Sequence, residues 1–346
     1  MLCFLYWRLL VYYNGEWRLV IRGLYLGKFM PIHRGHLYVI EVASQMVDEL
    51  TVLVCSVESE PIDGRLRAEW VRASVPQGVV VQELHEEMPQ LPEDDVNFWS
   101  IWRKAINQYG SFEKVFGGEE YVVRLAEEIG ATPIPLGRDT INISATMIRE
   151  NPSASWPYVP PAVRPYFQRR VTLLGPESSG KSTLAAALAK RFNFTGELSN
   201  LMNEYGRTYD VTMKKGRSWC REDFQVIANT HIAMRKALAQ HAGHILIEDT
   251  DVIQTMAWER ALLGDVNCDS YPLQDFSDLY LLMSPEVPWI DDGTRYGEQF
   301  RLDMFNFLKT QLENLKLPYM VIGGSEWSVR ERLAFEVVDR FLSETQ

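Results

Sequence analysis

One stretch of the sequence combines the residue types and the order that bind phosphate groups. An apolar run at 171–174 leads into the glycine-containing loop 175–182, and a strongly helix-forming segment follows at 183–189. In such a P-loop, backbone N–H groups and the helix N-terminus surround phosphate oxygens, a lysine reaches the β- and γ-phosphates, and a serine hydroxyl can hold Mg²⁺. We therefore expect this half of the chain to bind ATP, with Lys181 as the catalytic cation and Ser182 as a metal ligand. The predicted ATP-binding residues of this loop are Gly175, Glu177, Ser178, Ser179, Gly180, Ser182 and Thr183.

A second glycine-bounded turn lies near the start of the chain. The residues before it, 24–26, form a predicted buried strand, and residues 37–47 after it carry apolar side chains at the spacing of an amphipathic helix. Two histidines three residues apart, at a helix N-terminus that already favours anions, can donate to phosphate oxygens and stabilise the charge that grows during phosphoryl transfer. We expect the histidines to be catalytic and the rest of the turn to bind ATP. The predicted residues are Gly27, Lys28, Phe29, His33, Gly35 and His36.

A hydroxyl-rich helix start lies further along the chain, at residues 143–149. Ser144 is placed to cap this helix, and Thr146 and Arg149 add hydroxyl and guanidinium donors at the same end. By itself the segment is equally well explained as a capped surface helix that ends at Asn151-Pro152. Together with the histidine turn it predicts a nucleotide site, in which Ser144 and Thr146 bind ATP and Arg149 is catalytic.

Carboxylates follow a predicted strand in the second half. The residues from His244 to Ile247 are largely apolar and lead directly into Glu248-Asp249-Thr250-Asp251. The carboxyl end of a buried strand is the usual place for a magnesium ligand and a catalytic base in a phosphotransferase. We expect Asp249 and Asp251 to divide these two roles, and the sequence leaves open which residue takes which.

Composition argues against several other classes of protein. The formal net charge is −11, and neither half of the chain has the basic excess that a DNA-binding face needs. The four cysteines lie far apart without a C-x-x-C pair, so we expect neither a disulfide framework nor a zinc site, and a cytoplasmic location fits. No apolar run approaches the roughly 18 residues of a membrane span.

The order of predicted elements indicates an α/β protein with two doubly wound parallel sheets. In the first half, predicted strands at 24–26, 50–56, 79–83, 114–116 and 132–135 alternate with predicted helices at 37–48, 65–74, 97–109 and 119–129. This is a Rossmann-like arrangement, in which ligands bind beyond the carboxyl ends of the strands. We divide the chain into an extension (1–23), a first nucleotide-binding domain (24–165) and a P-loop domain (166–346), with proline-rich residues 158–165 at the boundary.

The first 23 residues form a separate short segment. Asn14-Gly15 lies between two strand-like runs, which predicts a β-hairpin. The alternative is upstream sequence, translated from a misplaced start and partly disordered. No cleavage site for a signal peptide follows.

The two motifs of the first half together resemble a known superfamily. The pattern G-x-F-x-P-x-H-x-G-H paired with I-S-x-T-x-x-R is similar to the nucleotidylyltransferases, and among them to the nicotinamide-mononucleotide adenylyltransferases. With the P-loop domain added, the chain after residue 23 resembles the bifunctional NadR type, an adenylyltransferase fused to a ribosylnicotinamide kinase. Ala145 stands where the family often has glycine. Residues 1–23 are too short for the helix-turn-helix domain of the regulatory members, so DNA-dependent repression is not expected.

The resemblance implies two reactions of NAD biosynthesis. Ribosylnicotinamide is phosphorylated by ATP to nicotinamide mononucleotide (NMN), which a second ATP adenylylates to NAD and pyrophosphate, with Mg²⁺ as the cofactor. An aromatic face suits the cationic nicotinamide ring, and Trp99 is favoured over Trp102 because it matches the family's stacking tryptophan. Further implied residues of the kinase site are the substrate-binding Glu204, Arg207, Trp289 and Asp291 and the ATP-closing arginines Arg295 and Arg301. The expected partners are these nucleotides, without DNA or membrane, and homo-oligomerisation is left open.

Two other functions compete with this interpretation. The first is a different fusion, of phosphopantetheine adenylyltransferase with dephospho-coenzyme A kinase; the Trp99–Trp102 segment and residues 288–295 argue against it. The second is a nucleotide-sensing regulator that binds without turnover. The presence of both histidines, of Lys181 and of the paired aspartates favours catalysis.

Overall fold

The chain folds into two compact units, Met1–Val163 and Arg164–Gln346, in a computed structural model. The structure describes residues 10–13, 16–118, 121–137, 140–193, 200–287 and 298–344. The boundary expected from the sequence, between residues 165 and 166, falls just inside the second unit.

The first unit is built on a parallel five-stranded sheet. The strands of this unit are β1 Leu10–Tyr13, β2 Glu16–Leu19, β3 Arg22–Gly27, β4 Glu49–Ser56, β5 Val80–His85, β6 Lys114–Gly117 and β7 Thr132–Pro135. The five strands β3 to β7 form the parallel sheet in the spatial order β5-β4-β3-β6-β7, so the chain winds outward from β3 in both directions. The strands β1 and β2 form a separate antiparallel pair, and its turn residues Asn14 and Gly15 lie outside the described residues.

Helices connect these strands, and polar side chains fix where several of them begin. Asp63 caps α2 by accepting from Arg65 N at 2.9 Å and Leu66 N at 3.1 Å, which satisfies two N–H groups that have no partner inside the helix. The helices are α1 Arg34–Met46, α2 Gly64–Ser74, α3 Phe98–Asn107, α4 Tyr121–Ile129, α5 Ala145–Glu150 and α6 Pro152–Ser155, followed by a 3₁₀ turn at Trp156–Tyr158.

The second unit has its own parallel five-stranded sheet, formed by β8 Arg169–Leu174, β9 Leu201–Met202, β10 Ile245–Asp249, β11 Leu279–Met283 and β12 Tyr319–Ile322. Their spatial order is β12-β11-β8-β10-β9. Its helices are α7 Arg164–Phe167, α8 Lys181–Arg191, α9 Tyr205–Tyr209, α10 Arg221–Ala239, α11 Val252–Leu263, α12 Glu298–Asn314 and α13 Trp327–Glu344, with a π-helical turn at Asp210–Lys214 and a 3₁₀ turn at Cys268–Ser270.

Both faces of the second sheet are buried. Along β11 the side chains alternate between two apolar clusters: Leu281 packs with Leu184 of α8 on one face, and Tyr280 packs with Met256 of α11 on the other. All five residues of β11 are buried, as expected for a central parallel strand covered by helices on both sides. Two parallel sheets flanked by helices confirm the predicted α/β fold class. Within the described residues, no helix combines the length and apolarity needed to span a bilayer.

Gly64 in the first unit lies so close to neighbouring side chains that a single added methyl group should lower the stability of the fold. A Cβ added to Gly64, the first residue of α2, would overlap Ser56 Oγ and lie 2.7 Å from His85 Nδ1. Gly64→Ala should therefore separate α2 from the ends of β4 and β5 and lower the free energy of unfolding by about 1–3 kcal/mol, the usual cost of overpacking. Denaturant unfolding followed by circular dichroism measures this.

Gly137→Ala is the matched control, because a Cβ there meets no atom within 4 Å. Equal stability of the two variants would show that the contact among Ser56, His85 and Gly64 relaxes without cost.

Candidate active sites

The histidine turn of the first unit lies between the end of β3 and the start of α1. His33 is the N-cap of α1 and is only 5% exposed, and its Nδ1 accepts from His36 N at 3.3 Å. This bond fixes the tautomer of the neutral ring, because an accepting Nδ1 makes Nε2 the N–H donor. The rings of His33 and His36 stack with their centroids 3.7 Å apart. The turn therefore presents two imidazoles as one rigid group.

Small and aromatic residues hold this pair in place. A Cβ on Gly35 would lie 3.1 Å from His33 Nδ1, so the close approach requires glycine or a shift of the ring. Phe29 is buried with a φ of +46°, and its ring centroid lies 5.0 Å from that of His36 and 5.4 Å from that of Tyr25. The side chain of Phe29, which the sequence assigns to ATP binding, thus packs against the ring of His36 and supports it. Gly27 is the last residue of β3.

The helix start at residues 143–149 lies next to the histidine turn. Arg149 Nη1 donates to the carbonyl of Met30 in the histidine turn, and its Nη2 donates to Thr146 Oγ1 at 3.2 Å. Ser144 is the N-cap of α5 and accepts from Met147 N at 3.2 Å. The structure thus brings Arg149 and Thr146 beside the turn, while the Ser144 hydroxyl is used to cap its own helix.

The predicted tryptophans lie on α3 and are half-buried against the core of the first unit. Trp102 Nε1 donates to Pro89 O at 3.0 Å. The guanidinium of Arg124 lies 5.7 Å from the centroid of the Trp99 ring. A cation therefore already occupies a position over Trp99, the tryptophan that the sequence favours.

The P-loop of the second unit adopts a strained, glycine-dependent path. Gly175 has a φ of +152° and Gly180 a φ of +87°, and a Cβ on Gly175 would lie 2.9 Å from Met283 O. The Lys181 side chain is buried, and its Nζ donates to Gly175 O at 3.0 Å and to Pro176 O at 2.8 Å. Burial lowers the pKa of Lys181, opposed by the charges of Glu204 and Asp249. The ammonium group therefore lies inside the loop and is bonded to acceptors that a phosphate can replace.

A cavity of about 590 Å³ opens at the P-loop. Its charged walls come from the loop, from α9 and from the π-helical turn, and its aromatic walls come from residues around α10 and α11. The lining residues are Glu177, Ser178, Gly180, Lys181, Ser182, Thr183, Glu204, Gly206, Arg207, Asp210, Lys214, Trp219, Phe224, Ile227, His231, Thr250, Gln254, Thr255, Trp258 and Leu262. The sequence-predicted Glu204 and Arg207 thus lie in one cavity with the loop.

The two predicted aspartates of the second unit have different surroundings. Asp251 caps α11 by accepting from Ile253 N at 2.8 Å, and its other oxygen accepts from Tyr280 OH at 3.0 Å. Burial raises the pKa of Asp251. Asp249 is 4% exposed, and its Oδ1 has no hydrogen-bond partner among the described residues. Thr250 between them has a φ of +78°, a strained conformation for a β-branched residue.

The remaining predicted residues of the second unit lie elsewhere or outside the described residues. Arg301 is 1% exposed, and its Nη2 donates to the carbonyls of Pro285 and Val287 at 3.0 Å each. Its guanidinium therefore holds the chain just before residue 288. Trp289, Asp291 and Arg295 lie outside the described residues.

Sequence reasoning missed several residues that form the cavity. Trp219 and Trp258 line it, and Lys214 Nζ lies 4.6 Å from the centroid of the Trp219 ring. His231 also lines the cavity, 3.6 Å from Glu248 Oε2, which Arg235 binds through Nε at 2.9 Å. These residues belong to no local motif, because they reach the cavity from separate elements. The aromatic character of Trp219 and Trp258 was the one signal available.

One wall of the cavity depends on an ionised carboxylate. Asp223 accepts from Arg217 Nη1 at 2.7 Å, from Tyr209 OH at 2.8 Å and from Cys220 N at 2.9 Å, and these bonds hold the residues beside Trp219. The bonds from Arg217 lower the pKa of Asp223 well below its usual range, against the opposing effect of burial.

Asp223→Asn should destabilise the protein by about 1.5–3 kcal/mol at neutral pH, the value of hydrogen bonds to a charged group. The stabilising effect of a carboxylate with a lowered pKa is present above the unfolded value of about 3.9 and is lost as the pH falls through the folded value. The difference from wild type should therefore shrink below about pH 4, as urea unfolding at several pH values can measure. The exposed Asp269→Asn is the control, and a difference independent of pH would contradict the assignment.

Comparisons with known proteins agree with the two-unit architecture. The cytidylyltransferase-like family matches residues 24–151, and the AAA domain family matches residues 170–332. The trifunctional NAD biosynthesis/regulator protein NadR of Escherichia coli K12 is 29% identical over 354 residues, which cover 93% of this chain and 83% of that protein. The nicotinamide-nucleotide adenylyltransferase of Methanospirillum hungatei is 32% identical over 151 residues, which cover 42% of this chain and 85% of that protein.

Solved structures share the fold over nearly the whole chain. A crystal structure of NadR protein in complex with NAD and AMP-PNP has a TM-score of 0.72 at 22% identity and covers 93% of this chain and 96% of that one. A complex of NadR protein with NR also has a TM-score of 0.72, at 21% identity. The chain therefore belongs, through its first unit, to the nicotinamide-nucleotide adenylyltransferase family, and over nearly its whole length it is a homologue of NadR.

Proposed function

We propose that this protein catalyses two consecutive reactions of NAD synthesis. Residues 166–346 phosphorylate ribosylnicotinamide with ATP to give NMN, and residues 24–165 transfer the adenylyl group of a second ATP to NMN and release pyrophosphate. The observation that carries the proposal is the presence of two independently built phosphate sites, the stacked histidines beside Arg149 in one unit and the P-loop cavity in the other. The NadR relatives, solved with NR and with NAD and AMP-PNP, support both activities.

Adenylyl transfer requires charge stabilisation more than a nucleophile from the protein. The 5′-phosphate of NMN attacks the α-phosphorus of ATP directly, and negative charge builds up on the oxygens around that atom and on the leaving pyrophosphate. The Nε2–H of His33, the imidazole of His36 and the guanidinium of Arg149 converge on one turn, where they can donate to these oxygens. Donors held in place before the reaction stabilise the transition state without a cost of reorganisation.

The nicotinamide ring of NMN carries a positive charge, which an aromatic face can bind. We assign this role to Trp99, which matches the family's stacking tryptophan; its ring already lies 5.7 Å from the guanidinium of Arg124, which the nicotinamide would replace. Trp102 has its indole N–H bonded to Pro89 O and serves as support.

The kinase reaction needs a cation at the β- and γ-phosphates. Lys181 Nζ is bonded to two carbonyls of its own loop, and bound ATP replaces these acceptors with phosphate oxygens. Arg301 acts in this proposal by holding the chain at residues 285 and 287, whose carbonyls its guanidinium binds, while Arg295 remains an expected ATP-binding residue outside the described residues.

The donor set in the second unit fits Mg²⁺. Asp249 Oδ1 is a buried carboxylate oxygen that lacks a hydrogen-bond partner among the described residues, and Ser182 lines the cavity. Oxygen ligands of this kind suit Mg²⁺, which would neutralise the phosphates when bound. We assign Asp249 to the metal, because both oxygens of Asp251 are engaged by the start of α11 and by Tyr280.

The second cavity also suits a cationic nucleoside. Lys214 Nζ lies 4.6 Å from the centroid of the Trp219 ring, which supports the use of this aromatic face for a positive charge, and Trp258 lines the same cavity. Glu204 and Arg207 supply hydrogen-bond groups for the ribose hydroxyls, with Glu204 Oε2 3.5 Å from Arg207 Nη2.

The direct test is incubation of the full-length protein with ribosylnicotinamide, ATP and Mg²⁺, with NMN and NAD followed over time. NMN should appear first and NAD afterwards. Parallel incubations with phosphopantetheine and dephospho-coenzyme A test the alternative fusion, and binding of ATP without any product would identify a sensor.

The two activities should be separable by a change in the P-loop. Lys181→Ala removes the cation at the γ-phosphate and should abolish phosphorylation of ribosylnicotinamide, while conversion of added NMN to NAD stays near the wild-type rate. Both rates are read from the same chromatographic assay. Equal loss of the two activities in a folded variant would contradict independent sites.

The reciprocal change lies in the histidine turn. His36→Ala should slow NAD formation from NMN by on the order of a hundredfold or more, the usual effect of losing one preorganised charge stabiliser. NMN should then accumulate from ribosylnicotinamide, because the kinase unit is untouched. An unchanged rate of NAD formation would remove His36 from the mechanism.

A further inference from the structure

A buried charge cluster beside the histidine turn has no part in the mechanism described above. Arg67 lies on α2 and is fully buried. Its Nη1 donates to the carbonyl of Lys28 at 2.8 Å and reaches the carbonyl of Cys55, at the end of β4, at 3.5 Å. Arg67 therefore ties the main chain of the phosphate-binding turn to the neighbouring strand.

The same guanidinium also holds a carboxylate. Arg67 Nη2 donates to Glu60 Oε2 at 2.6 Å, and Val57 N donates to the same oxygen at 3.2 Å. The other oxygen, Glu60 Oε1, lies 2.9 Å from Lys28 Nζ. The main chain of Lys28 is thus fixed by Arg67 and its ammonium group by Glu60.

The exposure of the three side chains shows which of them is fixed and which can respond to a ligand. The side chains of Arg67 and Glu60 are 0% and 8% exposed, whereas that of Lys28 is 49% exposed. Burial raises the pKa of Glu60, but the ion pair with Lys28 and the hydrogen bond from Arg67 outweigh it and keep this pKa below its usual value. Glu60 is therefore an ionised carboxylate in a rigid position, and Lys28 is the solvent-facing member of the cluster.

A lysine side chain has several rotatable bonds and loses much conformational freedom when it binds a phosphate. A carboxylate that restricts the lysine side chain before ATP binds reduces the conformational entropy lost during the reaction. The same carboxylate also lowers the positive electrostatic potential of the lysine.

We infer that Glu60, held by the buried Arg67, is a positioning residue that directs the Lys28 ammonium toward the phosphates of ATP in the first unit. The inference rests on the proposed adenylyltransferase function. Glu60 itself does not contact the substrate. Its effect on catalysis should therefore pass through Lys28 and disappear when Lys28 is absent.

A double-mutant cycle on the full-length chain tests this dependence. Glu60→Gln should lower kcat for NAD formation from NMN by about tenfold, because the preorganisation of Lys28 acts in the transition state. The KM for ATP should change by less than about threefold, since the removed negative charge offsets the lost order in the ground state. In the Lys28→Ala background, Glu60→Gln should change kcat by less than about twofold.

A purely structural role predicts a different result. Glu60→Gln would then lower kcat by the same factor with and without Lys28, and that outcome overturns the inference, as does an unchanged kcat in the wild-type background. Glu69→Gln, an exposed carboxylate on the same helix, is the matched control and should leave kcat unchanged. The kinase activity of each variant reports whether the second unit is intact.

Glu60→Gln leaves the buried Arg67 without a charged partner, which can prevent folding. A second variant therefore keeps the inference testable. Glu60→Asp keeps the charge near Arg67 but shortens the side chain by one carbon, so it should also lower kcat only when Lys28 is present. The wild-type protein is assayed first. Absence of NAD from NMN and ATP would contradict the proposed function, whereas an active wild type with additive effects of Glu60 and Lys28 would contradict only this inference.

Discussion

The first N–H groups of a helix have no acceptor inside that helix, and both candidate sites are built where such groups follow the end of a parallel strand. In the first unit β3 leads into the turn capped by His33, and in the second unit β8 leads into the P-loop before α8. In the proposed function, a phosphate supplies the missing acceptors at these points. The rest of each unit serves to bring further donors, carboxylates and aromatic faces to the same edge of its sheet.

This placement has a conformational cost that the surrounding core offsets. Gly175, Gly180 and Ser178 of the P-loop all have positive φ values, as do Phe29 in the histidine turn and Thr250 beside the aspartates. The two glycines adopt them without steric cost, whereas the conformations of Ser178, Phe29 and Thr250 persist only where neighbouring packing holds them. Phe29 is held by Tyr25 and His36, and Gly175 fits closely against Met283 of β11. The strain therefore lies at the turns, and the apolar strands next to them keep it in place.

Buried charged residues lie next to both sites. Glu60 pairs with Lys28 and with the buried Arg67 in the first unit. In the second unit, Arg235 pairs with Glu248, which lies beside the cavity-lining His231. Arg330 of α13 is also fully buried, and it donates to the carbonyl of Ser179 in the P-loop at 3.2 Å. An arginine with several donors can bind carbonyls from separate segments at once, which an apolar side chain cannot do. Arg67 and Arg330 thus connect the two phosphate-binding turns to helices distant in sequence.

The sequence by itself determined the fold class and the two phosphate turns, because each turn is a local pattern of glycines, donors and flanking apolar runs. It also indicated Ser144 as the cap of a helix, since capping depends on residues within one turn. Only the tertiary structure separated Asp249 from Asp251, placed Lys214, Trp219 and Trp258 in one cavity, and joined Lys28 to Glu60 and Arg67. These relations link residues that lie on different elements, or that differ only in their long-range partners. No local spacing encodes such contacts, because the distance between two elements is set by the packing of the whole unit.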